Sequence, residues 1–486
     1  MALPSQHRSR SNLVLPPEVL LLICSHLDHR NLLKASMTCA TWHRVCQDPA
    51  LWRRLYSHER GTMQFDSGPR VRLSEIGVDW YNLYKQRTRL NQNWTAGKFV
   101  NSQLPHPNHP AEGHTDDIYA IQLQGKHLVS GSVDRTIRIW DVDTGRLVGE
   151  PLQGHAGSVL CLQFDPRDHE DTIVSGGAGG ELIFWVFSTR TKIKIVSNAH
   201  GDAVTCLKFD QTRLVTCSQD ETIKVWDRTT LSAQILTGHR GSVNAIDFSG
   251  DTLVSASGDR TVKVWSISEN VCLRTVEEPR SVACVRLHGD WVMSGGRDGC
   301  LRMYNALLDP QGAPLFGHSD LVRTFQARLT DGPTETIVSG SYDGSVLVWM
   351  RTSKGHWRAR RVDRHDPARR CAGVAATWRI SDRTSVSGRV HRSTRRSLET
   401  LCGPVASSAE RHHGLASHAP AGDTATDVNH PWIFGVDIND RRLAYCSNNA
   451  TIMGLDFADN DQEIVSFCDL ELALDRTGGQ SRSRVP

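Results

Sequence analysis

Three histidines in this 486-residue chain, His114, His200 and His239, each precede an aspartate by twenty residues: Asp134, Asp220 and Asp259. Six residues further on stands a tryptophan, Trp140, Trp226 and Trp265 respectively, and in the first set Ser130 lies between the histidine and the aspartate. Imidazole, carboxylate and hydroxyl together can make a nucleophile, so hydrolysis is the first chemistry to weigh. Repetition argues against it. A hydrolytic triad occurs once, on a strained exposed turn, whereas this set recurs at fixed spacing and no GxSxG elbow accompanies it. HxxxH and GxxxxGK[ST] arrangements are also absent, and His412-His413 sits in a polar stretch that suits a solvated pair better than a ligand set. We therefore expect no catalytic residue, no metal and no cofactor.

The elements that carry the set are short strands. Across Leu128 to Asp141, LVSGSVDRTIRIWD, apolar and polar residues alternate on either side of a run of small residues and an Asp, as two strands joined by a tight turn require. With Gly113-His114 upstream, the order Gly-His, Ser-Gly-Ser, Asp and Trp-Asp resembles one four-stranded blade of a WD-repeat propeller. Blade two runs from Gly154-His155 to Trp185-Val186, with Gly179 in place of the turn Asp. Blades three and four run from Ala199-His200 to Trp226-Asp227 and from Gly238-His239 to Trp265-Ser266. Blade five lacks the Gly-His and ends in Tyr304-Asn305 but keeps Asp298, and blade six uses Gly317-His318, Asp343 and Trp349-Met350. A degenerate last blade, Phe434 to Ile438 and Arg442 to Asp456, puts Asn449 and Leu455 where the turn Asp and the Trp belong. Seven blades result, an eighth being left open by the long interval after Trp349, and Thr95 to Val100 is placed to complete the last sheet. What the resemblance implies is a structural tetrad per blade: His114, Ser130, Asp134 and Trp140 in blade one, with His200, Asp220, Trp226, His239, Asp259 and Trp265 in the two cleanest copies. An unpaired member of such a buried network costs about 1–3 kcal/mol, so Asp220→Ala is expected to destabilise more than Gly179→Ala.

Before the repeats, apolar residues recur at helical intervals in LPPEVLLLICSHLD, with Pro and Glu18 at a helix start. LLKASMTCATWHRV and DPALWRRLY follow as further short amphipathic segments. Together they resemble an F-box over Leu15 to Tyr56. That likeness implies docking onto the Skp-type adaptor of a cullin-RING ubiquitin ligase, with Leu15, Pro16, Glu18, Leu20, Ile23 and Leu27 at the contact positions. From Ser74 to Asn93 the residues Trp80, Leu83, Tyr84, Arg87 and Leu90 form one helical stripe, read as a spacer. The expected organisation is a small α-helical F-box domain at 11–57 and a helical linker at 58–92, followed by an all-β propeller. Its first six blades occupy 93–350, an Arg-rich insertion 351–428, the degenerate last blade 429–468 and a tail 469–486.

Within 351–420 stand fourteen arginines and one lysine, Lys354. This composition fits either a long insertion or a stretch of miscoded sequence, and without interleaved aromatics nucleic acid is not expected as a partner. A net charge of +3 adds nothing to that case. No continuous apolar run reaches membrane-spanning length and the N-terminus lacks a signal-peptide core, so a cytoplasmic or nuclear protein is expected. The thirteen cysteines lack CxxC pairs and read as core thiols.

In relatives that read phosphorylated degrons, arginines occupy two repeated rim positions. Here only Arg297 and Arg323 match, while Tyr119 and Tyr342 hold equivalent places. The same rim therefore suits a phosphorylated or an unmodified protein substrate. The resulting expectation is a non-catalytic substrate receptor of an SCF-type ligase, contacting adaptor, cullin-RING core and substrate, with a non-ligase WD-repeat scaffold as the alternative.

Overall fold

The computed structural model describes residues 15–60, 79–165, 171–306, 314–328, 335–351, 356–362 and 432–468. The first part of the spacer, most of the Arg-rich stretch with His412-His413, and the tail lie outside them. Strand alternation becomes seven antiparallel sheets among the described residues. Their first strands, Ile118–Gln124, Val159–Asp165, Val204–Phe209, Val243–Ser249, Val282–His288, Val322–Arg328 and Ile433–Ile438, pack side by side in a closed ring. Seven blades are thus formed and there is no eighth among the described residues. Second strands such as Thr172–Gly177 are buried throughout, because both faces meet a neighbouring blade, whereas the outermost Thr191–Val196 is exposed.

Close approach of the blades dictates small residues at one position of the second strand. A Cβ on Gly131 would come 2.6 Å from Val159 of the next blade, and one on Gly340 2.6 Å from Ile433. Each turn Asp stabilises the loop that follows it. Asp134 Oδ1 accepts from the amide and hydroxyl of Thr136 at 2.9 and 2.6 Å. The residue after the Asp adopts a left-handed conformation, Arg135 at φ +68° and Gly344 at +71°. Further side-chain staples join neighbouring blades. Gln122 and Gln163 each exchange two hydrogen bonds with the backbone of the following blade, at Phe164 and Phe209. Asp247 and Asp437 accept from Leu287 N at 2.9 Å and Leu123 N at 2.6 Å.

The closing strand is Val100–Leu104, paired with Ile452–Asp456, and not Thr95 to Val100. The reason is the preceding helix. It runs Trp80–Ala96, capped by Asp79, and stops where Gly97 turns left-handed at φ +70°. A second correction concerns the Arg-rich stretch: its residues Trp357–Val362, WRARRV, form the outermost strand of blade six against Val346–Arg351. An outer strand buries little, so it needs no apolar alternation and arginines are tolerated.

The four N-terminal helices are α1 (Pro17–Ser25), α2 (His29–Ser36), α3 (Ala40–Cys46) and α4 (Pro49–Arg60), and the spacer is α5 (Trp80–Ala96). One hydrophobic core runs from Cys24, Leu32 and Trp52 through Tyr84, Leu90 and Trp94 to Tyr445 and Phe457 of the last blade. A helix at 462–468, which the sequence reading left inside the last blade, adds Ile464 and Phe467. Polar groups fix the same junction. Fully buried Arg87 pairs with Asp440 at 3.2 Å, Gln86 donates to Glu463 at 2.9 Å, and Arg89 pairs with Asp461 and Glu463. Trp94 stacks on Phe457 with ring centroids 3.5 Å apart and donates its indole N–H to Asp440 O at 3.0 Å.

Removing a large buried aromatic costs about 3–5 kcal/mol. Trp94→Ala is therefore expected to lower the melting temperature and to expose the segment between Ala96 and Val100 to proteolysis; unchanged melting and protease resistance would contradict the common core.

Candidate binding faces

The tetrads occupy the blade interiors. In blade one His114 Nδ1 lies 2.8 Å from Asp134, Nε2 lies 2.7 Å from Ser130 Oγ, and Trp140 Nε1 donates to the same hydroxyl at 2.8 Å. Blade four repeats this with His239, Asp259, Ser255 and Trp265, and blade six with His318, Asp343, Ser339 and Trp349. In blade three Thr216 supplies the hydroxyl between His200 and Trp226, a role expected of serine. Burial disfavours the imidazolium and lowers His114, His200 and His239 despite their aspartates, so each is neutral, donating from Nδ1 to the carboxylate and accepting the hydroxyl proton at Nε2. For Asp259 burial acts upward, but the Arg240 amide, the Thr261 hydroxyl and His239 outweigh it and hold it at about 2. The donors and acceptors of these tetrads are thus committed to one another inside the blades.

Two blades rebuild the network with different residues. In blade two His155 pairs with Glu181 at 2.7 Å, so a glutamate two residues beyond Gly179 supplies the carboxylate. Gly179 is consequently no neutral gap: a Cβ there would come 2.3 Å from Glu181 Oε2. In blade five Glu278 takes the histidine's place, sixteen residues before Ser294, whose hydroxyl donates to it at 2.6 Å. Arg302 bridges Glu278 and Asp298 at 2.8 and 2.5 Å. The spacing of Glu278 matched the histidines, which is the signal that could have found it.

The first exposed face is on the small helical unit. Leu15, Pro16, Glu18 and Ile23 are exposed, and Val19 and Leu22 extend the same stripe of α1, Leu22 with 62% of its surface open. Leu33 and Met37 add exposed apolar surface at α2. Leu20 and Leu27 do not belong to this stripe. Leu20 is 4% exposed and Leu27 packs against the core, because i, i+4 and i+7 spacing from Leu15 selects the other side of the helix.

The second face is the mouth of the channel, a cavity of about 200 Å³ whose lining includes Tyr119, Arg323 and Phe434. Tyr119 meets Phe434 edge-on at 4.8 Å, Tyr342 meets Phe434 edge-on at 5.9 Å and stacks on Trp432 at 5.1 Å. Trp432 is 40% exposed. Burial first, then Asp117 and Tyr342, raise the Tyr119 phenol, while Arg323 acts the other way, which puts Arg323 within its electrostatic reach. Three of the four expected rim residues therefore gather here. Arg297 is exposed in the turn of blade five, its amide bonded to Ser281 O, and shares no partner with the other three. Trp432 and Phe434 were missed, although Phe434 follows Ile433 as Tyr119 follows Ile118.

Seven antiparallel blades, four of them holding a His–Asp–hydroxyl–Trp network, define a WD-type β-propeller joined to a helical F-box-like unit. The family F-box-like matches 13–58. WD domain, G-beta repeat matches 191–227, 231–266, 270–305 and 312–350, and TEP-1 C-terminal beta-propeller matches 114–186. The chain thus carries an F-box-like unit followed by WD-type repeats. It is 28% identical over 156 residues to F-box/WD repeat-containing protein 7 of Drosophila melanogaster, a match covering 31% of this chain and 11% of that one. It is 30% identical over 160 residues to the Probable E3 ubiquitin ligase complex SCF subunit sconB of Arthroderma otae, covering 27% and 23%. It is also 26% identical over 309 residues to Mitochondrial division protein 1 of Kluyveromyces lactis, covering 58% and 39%. The matched stretches thus span between about a tenth and two fifths of these relatives' own lengths. Among the described residues no helix is long and apolar enough to cross a membrane and no cluster suits a metal ion.

Two predictions follow the network chemistry. Asp220→Ala strands the His200 Nδ1–H and the amides of Gly201 and Thr222, and is expected to cost about 1–3 kcal/mol by denaturant unfolding; a loss under 0.5 kcal/mol would contradict it. Because His114, His200 and His239 are depressed below 6.5, their contribution is present above that pH and is lost as pH falls below it. Asp437, raised to about 6 by burial, has the opposite sign: its contribution is present below 3.8 and is lost as pH rises through 6. Stability is expected to fall from pH 7 to pH 5, and more steeply in Asp437→Asn; a flat profile would contradict this.

Proposed function

We propose that the chain is the substrate-recognition subunit of an SCF-type E3 ubiquitin ligase. The carrying observation is the apolar stripe Leu15, Val19, Leu22 and Ile23, left open on an F-box-like unit whose other side shares one core with the propeller. An exposed stripe of this kind on a 46-residue unit suits a protein partner. Leu15, Pro16, Glu18 and Ile23 would contact a Skp-type adaptor, and through it the cullin-RING core. The propeller rim would hold the protein substrate, phosphorylated or unmodified, through Arg323, Tyr119 and Tyr342. Arg297 would add a cation from blade five. On this reading the chain catalyses nothing itself, binds no cofactor, membrane or nucleic acid, and works in the cytoplasm, the nucleus or both.

A non-ligase scaffold is the second reading, favoured by the long match to a relative named for mitochondrial division.

Affinity purification of the full chain from its own cell extract, beside a Leu15→Ala, Pro16→Ala variant, tests the proposal. Both residues are exposed, so the variant is expected to fold. Adaptor and cullin should accompany the wild type and be lost from the variant. Adaptor without cullin, or neither, would favour the scaffold.

A further inference from the structure

Where blades six, seven and one meet, the rim presents an apolar wall beside a cation without a counter-ion. Trp432 and Tyr342 form a stack backed by Phe434 and Tyr119, with the Trp432 ring open on its outer side. Arg323 is half-buried and lines the channel cavity with Tyr119 and Phe434, and no ion pair to a carboxylate involves it among the described residues. Arg302 and Arg441, by contrast, are paired with Asp298 and Asp456.

We propose that this sector recognises an unphosphorylated segment of a protein chain in which an Asp or Glu adjoins a large apolar side chain, the carboxylate taken by Arg323 and the apolar group laid on Trp432 and Tyr342. This rests on the propeller being the substrate-binding face and names the class of substrate.

Charge decides between carboxylate and phosphate. A single guanidinium matches one carboxylate in a two-pronged pair. A phosphate dianion calls for further cations; Arg297 is not among the groups around Arg323, and Arg286 and Lys208, which line the same cavity, act on the carboxylates of Asp247 and Asp437. Asp116 and Asp117 act instead on the same Tyr119 phenol as Arg323, so a dianion would be repelled more than a monoanion. The apolar half supplies the area: a large side chain on an aromatic wall is the usual source of affinity in such contacts, and Trp and Tyr are favoured there.

The test is selection of an immobilised library of eight-residue peptides, its central four positions randomised and including phosphoserine and phosphothreonine, on the full chain. We expect at least about tenfold enrichment, or ~1.4 kcal/mol, of peptides placing Asp or Glu beside Phe, Tyr, Trp or Leu. Arg323→Ala should lose the acidic preference and keep the apolar one, Arg323→Glu should turn it toward Lys and Arg, and Trp432→Ala should lose the apolar preference. Melting curves for each variant separate these effects from unfolding. Enrichment of phosphorylated peptides, or of none, would overturn the proposal. Adaptor capture on the same preparations distinguishes the two readings: capture without peptide enrichment removes this proposal alone, and enrichment without capture removes only the ligase role.

Discussion

The antiparallel pairing of Val100–Leu104 with Ile452–Asp456 is the contact on which the remaining architecture depends. A ring of sheets has no edge inside it only when the chain's beginning supplies a strand to its end, and unpaired backbone groups there would be costly. That closure also fixes where the N-terminal helices sit. Because α5 ends three residues before the closing strand, it must lie against the last blade, and Trp94 and Arg87 meet Phe457 and Asp440. The exposed stripe of α1 thereby sits on a unit that shares one hydrophobic core with the last blade.

Within the blades, neutral imidazoles hold carboxylates well below their ordinary range. The arrangement tolerates substitution so long as one acceptor and one donor chain survive. Blade two moves the carboxylate to Glu181, and blade five replaces the imidazole by Glu278 and restores charge balance with Arg302. The last blade dispenses with the network: Asn449 caps the turn by accepting from Thr451, and Leu455 fills the tryptophan's place in the core.

Much of this was legible in the sequence because the repeats fix it. Constant spacing from histidine to aspartate marked the blades, and helical spacing from Leu15 to Ile23 marked an apolar stripe that the fold leaves exposed. What was not legible depended on contacts between distant residues. Leu20 and Leu27 share a motif with Leu15 but turn to the core, and only helix packing separates them. The rim sector needed blade seven, whose weak repeat hid Phe434 and Trp432. Gly179 looked like a gap because the replacing carboxylate stands two residues away. The strand at Trp357–Val362 was hidden by its arginines, which an exposed outer strand accepts.

On the proposed reading, the apolar helix face and the arginine beside aromatic rings would join two partners without the chain acting on either. Reconstituted ubiquitin transfer tests that most directly. The purified chain, loaded with proteins captured from its own cell extract, would be mixed with Skp-type adaptor, cullin-RING core, activating and conjugating enzymes and ubiquitin. The account predicts that captured proteins acquire ubiquitin chains, and that they do not when Leu15 and Pro16 are replaced by alanine. Captured proteins that stay unmodified while the same core modifies a substrate of another receptor would contradict it.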